Sequence, residues 1–146
     1  MVILTFGKRN FDCLVDKNDV IVYDAESQAC ILDRARLNME KRFVFRHNNI
    51  EDCEQQLLRA QKITNKNKGA TLLITEGVIG MCSDQGKLKE IVALKVNYKF
   101  LLLVDDAHGI GCMGKTGAGK GEAQGIQDGI DFHFGTFAKA FAGIGH

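Results

Sequence analysis

The sequence predicts an α/β layer fold built on a mostly parallel sheet. Short apolar runs alternate with amphipathic helical stretches along the 146 residues, the pattern of strands connected through helices. The run Thr71 to Thr75 (TLLIT) has no polar face, as a central parallel strand covered on both sides requires. Each apolar run also stops at a polar residue, Asp24, Glu76, Asp105 or Thr136, and in such sheets ligands sit beyond the carboxyl ends of the strands.

Taken in order, the turn-prone residues 16 to 19 lead into a short buried strand over Val20 to Tyr23. Ala25 to Met39 then carries apolar residues at helical spacing, with Asp24 placed to cap it. Arg42 to Arg46 (RFVFR) alternates as a second strand. Ile50 to Ile63 is predicted as a helix with Cys53, Leu57, Leu58 and Ile63 on its apolar face and Glu51, Glu54 and Gln55 toward water. The polar TNKNKG at 64 to 69 reads as a surface loop. After the strand at Thr71, Leu88 to Val96 supplies another amphipathic helix, and Phe100 to Val104 and Ile130 to Phe134 supply two more strands. MVILT at the amino end is only a short apolar run broken by Lys8 and Arg9, too short for a signal peptide core or a membrane span.

Composition bounds the function. Hydrophobic residues make up 45% and charged residues 25%, ordinary values for one globular domain, and a net charge of +1 gives no reason to expect nucleic acid or an anionic membrane as partner. The five cysteines include no CxxC pair, so neither a metal site nor a disulfide framework is suggested and a reducing, cytoplasmic setting is the simplest reading. Eleven of the 16 glycines lie from Gly109 onward. The last residues, AFAGIGH, are apolar and glycine-rich, as in a chain cut within its structure.

That glycine segment satisfies two nucleotide-binding patterns. Gly109 to Gly114 (GIGCMG) is a literal GxGxxG, and Gly109 to Thr116 is a literal phosphate-binding loop in which Lys115 and Thr116 would meet phosphate and magnesium. Both need a following helix to aim its amides at phosphate, and the run after Gly114 is too rich in glycine to propagate one. A P-loop nucleotide-binding protein is therefore the lesser alternative. Lys115, Thr116 and Lys120 read as residues of a mobile surface loop.

Asp105, His108, Thr136 and Lys139 form a different constellation. Lys139 is the only full charge between Phe132 and Gly145, which predicts a partly desolvated amine, and a desolvated amine is the neutral nucleophile that forms Schiff bases. Read alone, Lys139 is a lysine reaching the surface and Asp105 a cap. Together, TFAKAFAGIG at 136 to 145 and VDDAHG at 104 to 109, with TEGV at 75 to 78, KRFVFRHNNIEDCEQQL at 41 to 57 and GKTGAGKGEAQG at 114 to 125, resemble the α-oxoamine synthase family of pyridoxal 5'-phosphate (PLP) enzymes. Within that family the likeness is greatest to bacterial serine palmitoyltransferases, with glycine C-acetyltransferases next.

The resemblance implies the large domain of the aspartate aminotransferase fold (fold type I). Residues 1–146 would be its central part, without the N-terminal segment and the C-terminal small domain. It implies decarboxylative condensation of an amino acid, L-serine in the palmitoyltransferases, with an acyl-CoA, by a homodimer. Lys139 is then expected to hold the cofactor covalently and to serve as base, Asp105 to pair with the pyridine nitrogen, and His108 to hydrogen-bond the phenolic oxygen. Ala107 would pack on one ring face and Thr136 bind the phosphate. Gln28 stands where the family has a histidine stacked on the other ring face, which implies weaker control of the reaction, and Gly80 stands where many members have serine. MVILTFGKRN does not resemble the family's upstream segment. This chain alone is therefore expected to be inactive, and a truncated or decayed non-catalytic relative is the alternative.

Overall fold

The computed structural model describes residues 2–4, 15–27, 41–80 and 84–143. Its strands are β1 (Val2–Leu4), β2 (Val20–Asp24), β3 (Arg42–Phe45), β4 (Thr71–Glu76), β5 (Leu101–Asp105) and β6 (Phe132–Phe134). All pair in parallel in one sheet, in the order β1-β6-β5-β4-β2-β3. The α/β expectation therefore holds. β4, buried at every position, lies between β5 and β2, where an all-apolar run belongs.

Among the described residues, the strands from β3 to β5 are joined through α1 (Ile50–Asn67) and α2 (Leu88–Ala93), the latter continued by a 3-10 turn over Leu94–Val96. The Asn49 side chain caps α1 by accepting from Asp52 N–H at 2.8 Å, and Glu51 and Asp52 favour its positive end. The helix runs past its expected end at Ile63, through residues predicted as loop, and stops at left-handed Lys68. No breaker occurs before Lys68, and Thr64 is buried. Cys53, Leu57, Ala60 and Thr64 form the buried stripe. Leu58, expected on that face, is 45% exposed, because its neighbour Leu57 occupies the stripe and consecutive helical residues diverge by about 100°.

Alternation along the strands builds a core on each face. Val20, Val22, Leu73, Leu102 and Val104 pack with Phe45, Cys53 and Leu57, and with Leu88 and Ile91 of α2. Ile21, Leu72, Ile74 and Leu103 form a smaller cluster with Val15, Tyr23 and Phe132. Most of the helix expected over Ala25 to Met39 lies outside the described residues, as does Gln28; residues 25 to 27 form a turn. β1 was not anticipated. Three residues carry no readable period, and their pairing is supplied by the edge of β6, with Val2 opposite Phe132 and Leu4 opposite Phe134.

Register aligns the carboxyl ends. Glu76 is opposite Asp105, and Asp105 is opposite Phe134. The ladder continues past them, with Gly77 N–H donating to Asp105 O at 2.8 Å and Asp106 N–H to Phe134 O at 2.9 Å. Asp24, Glu76 and Asp105 thus close their strands along one edge, as the sequence suggests; Thr136 follows the end of β6 by two residues.

Candidate active site

At the end of β5 the chain turns at once. Ala107 N–H donates to Asp105 Oδ1 at 3.0 Å, and Gly109 and Ile110 N–H both donate to Asp106 O at 2.9 Å. This turn buries Asp105 and Ala107 and leaves His108 half-buried. After β6, Ala138 N–H donates to Thr136 Oγ1 at 3.1 Å, and Gly143 N–H to Phe137 O at 2.7 Å, closing a loop that carries Lys139. The two turns meet where Lys139 Nζ lies 2.7 Å from His108 Nε2, across 31 residues of sequence. Asp105, Ala107, His108, Thr136 and Lys139 are thus gathered at two neighbouring strand ends.

Burial pushes the Asp105 carboxyl up from its ordinary value, partly offset by the Ala107 amide and the Lys139 charge. Burial, with the Lys139 charge added, pushes His108 down. A neutral His108 has a lone pair on Nε2 for the Lys139 amine. The expectation of a desolvated Lys139 is corrected: the residue is exposed. Its loop lies on the surface with Phe137 and Phe141, which are 49% and 51% exposed and whose rings, tilted by 60°, have centroids 5.6 Å apart.

Behind this site is a second cluster that sequence reasoning missed. Asp106, fully buried, accepts from Lys120 N–H at 2.5 Å and lies 3.0 Å from His133 Nε2 through Oδ2. Three glycines wall it in: a Cβ on Gly77, Gly109 or Gly119 would fall 2.0–2.2 Å from a carboxylate oxygen of Asp106. The signals were a second acid at a buried strand end and a histidine inside the apolar FHF of β6. Lys120, expected on a mobile surface loop, is 5% exposed and donates to Gln85 Oε1.

The glycine segment does not form a nucleotide site. Glu122 fills its concavity, accepting from Thr116 N–H and Oγ1 at 2.9 Å each and from Ala118 N–H at 3.2 Å. These bonds, the Thr116 amide first, hold the Glu122 carboxyl below its ordinary range although burial opposes them. The helix that follows, α3 (Lys120–Ala123), has four residues. Lys115 and Thr116 are exposed, as expected for a loop.

A third polar group lies across the β2 end. His47 Nδ1 is 3.0 Å from both carboxylate oxygens of Asp24, and its Nε2 is 3.2 Å from Asp84 Oδ2. A cavity of about 570 Å³ opens at the opposite, amino end of the sheet, between the end of α1 and the start of β5; none of the three polar clusters lines it.

Comparison with known proteins points to one family. The sequence matches the family described as aminotransferase class I and II over residues 10–145. It is 54% identical, over 98% of its length, to the cysteate-C-fatty acyltransferase of Capnocytophaga ochracea, and 40% identical, over 90%, to the serine palmitoyltransferase of Caulobacter vibrioides. A serine palmitoyltransferase structure from S. paucimobilis, with PLP and myriocin bound, superposes with a TM-score of 0.81 at 37% identity over 90% of the chain. The chain spans about a third of these relatives: 35%, 32% and 32% of their respective lengths.

Proposed function

Because the chain belongs to the class I and II aminotransferase family, with α-oxoamine synthases as its relatives, we propose that it carries the PLP site of an enzyme condensing an amino acid with an acyl-CoA. The observation that carries this reading is Lys139 Nζ 2.7 Å from His108 Nε2, beside the strand end closed by Asp105. The residues present fit the cofactor. Burial disfavours the charge of Asp105, and a cationic pyridine N–H compensates it. The exposed amine of Lys139, 2.7 Å from the His108 imidazole, is accessible for covalent attachment.

When bound, PLP supplies an electron sink for charge developing at the α carbon of the amino acid. Asp105 would keep a proton on the ring nitrogen. His108 would hydrogen-bond the phenolic oxygen, Ala107 would pack on a ring face, and Thr136 would bind the phosphate. Lys139 would hold the cofactor through its amine and would serve as the base toward the α carbon of the amino acid. Gln28 would stand on the other ring face. Residues 1–146 are then the central part of the large domain. Phe137 and Phe141, about half exposed beside Lys139, support a homodimer or another part of the protein covering the site. Among the described residues no helix is long and apolar enough to cross a membrane, and the free thiols of Cys53 and Cys112 suit a cytoplasmic enzyme.

The amino acid is L-serine if the chain follows the palmitoyltransferases, and the product then leads toward sphingolipids. The 54% identity to the cysteate-C-fatty acyltransferase, against 40% to a serine palmitoyltransferase, favours cysteate as the second reading. CoA release by the full-length enzyme, with each amino acid in turn, separates the two. The test of the site is PLP titration followed by borohydride reduction and peptide mass spectrometry. The adduct is expected on Lys139 and absent in Lys139→Ala; an adduct that survives the substitution overturns the assignment.

A further inference from the structure

We propose that His47 is a positioning residue of this site: it ties the carboxyl end of β2, through Asp24 and Asp84, to the segment after β4 that rests against His108. The inference rests on the reading of His108 and Lys139 as cofactor residues. The geometry is specific on both sides of the ring. Nδ1 faces both oxygens of Asp24 at 3.0 Å, and Nε2 faces Asp84 Oδ2 at 3.2 Å. The next residue, Asn48, repeats the grip: its amide donates to Asp84 Oδ2 at 3.3 Å and Gln85 O at 3.1 Å, and its carbonyl accepts from Lys87 N–H at 3.1 Å. Asn48 is left-handed, with φ 53°, a conformation asparagine tolerates better than most residues.

What is gripped reaches the site in one step. Ile79 N–H donates to Asp84 O at 2.8 Å and Gly86 N–H to Gly77 O at 3.0 Å, so residues 84–86 fix residues 77–79. Gly80 follows directly, so close to His108 that a Cβ there would fall 2.5 Å from Nε2. That nitrogen is the one facing Lys139. His47 therefore sets where Gly80 stands, and Gly80 limits where the His108 ring can lie.

The bridge requires a charged ring. Ionised carboxylates only accept hydrogen bonds, so an imidazole between two of them must donate from both nitrogens. The groups facing it are Asp24 and Glu26 from the β2 end and Asp84 from the gripped segment. Burial opposes the charge, but the Asp24 hydrogen bond and charge, with Asp84 and Glu26 added, raise the His47 pKa. As pH rises through that raised value one donor is lost. The side chain of Asp84 is 56% exposed against 1% for Asp24, so the Asp84 bond yields first and residues 84–87 loosen.

The experiment uses the full-length enzyme and two readouts: the dissociation constant of PLP as a function of pH, and amide hydrogen exchange at residues 77–80 and 84–87. Wild-type affinity is expected to fall as pH rises through the His47 titration. His47→Gln, which cannot bridge two acceptors in the same way, is expected to lose that step, to bind about tenfold more weakly at low pH, the worth of one charge-assisted hydrogen bond, and to exchange faster in both segments. Asp84→Asn, at an exposed position, is the milder variant and changes both readouts in the same direction, by about threefold in affinity. Unchanged exchange together with an unchanged affinity step in either variant overturns the proposal. Wild-type binding that is indifferent to Lys139→Ala instead sinks the cofactor reading, and the exchange arm still reports on the His47 tie.

Discussion

Asp105 and Asp106 are chain neighbours at the end of β5, yet they meet opposite environments. Asp105 faces the side on which Lys139 and His108 approach each other, while Asp106 is turned to the other side, fully buried and bonded to His133 and the Lys120 amide. Strand alternation alone sends two adjacent acids to two faces. The difference teaches a division of labour: Asp106, through Oδ2 alone, holds β5, β6 and the glycine segment together while its Oδ1 is buried with no hydrogen-bond partner, whereas Asp105 is buried with its charge only partly compensated and is available to a cationic group.

The largest test of that division is Asp106→Ala. It leaves His133 and the Lys120 N–H without their acceptor, and losing one partner of a buried pair costs about 3–5 kcal/mol. Urea unfolding of the chain should show it, and a wild-type midpoint would mean that Asp106 anchors nothing. Next comes Asp105→Asn, with the opposite sign. Because the folded pKa of Asp105 is raised, its charge destabilises the fold at any pH above the ordinary carboxylate value. The amide, which still accepts from Ala107, should therefore add on the order of 1 kcal/mol near neutrality. That gain fades as the pH falls below the ordinary value, while affinity for PLP drops. Lower stability at neutral pH would show that the Asp105 charge is already compensated. The smallest effect belongs to Lys139→Ala: stability should change by less than about 0.5 kcal/mol at so exposed a position. The His108 titration, followed by NMR, should move up because one of its two depressing influences, the Lys139 charge, is gone. A static His108 titration would separate the two residues electrostatically.

Much of this was legible in the sequence because it is local. TLLIT reads as a central strand from five residues, and VDDAHG and TFAKAFAGIG reveal the paired strand ends through residue types at short spacing. The corrections come from burial and from distant partners. Leu58 turns outward by one helical step, α1 continues through residues that look like loop, and Lys120 is buried where glycines suggest surface. Local composition is silent on each of these, since a residue's environment depends on what packs against it.

The sequence by itself determined the alternation of strands and helices, and with it the parallel sheet and the edge where its polar residues gather. Periods of 2 and 3.6 are properties of the chain alone. Only the tertiary structure decided which polar groups pair. His133 lies 27 residues from Asp106, and His47 lies 23 from Asp24 and 37 from Asp84. Such partners are set by sheet register and by the paths of loops, which no local period encodes. The acid proposed to meet the cofactor and the acid that ties β5 to β6 differ by one position in sequence; sheet packing sends them to different faces.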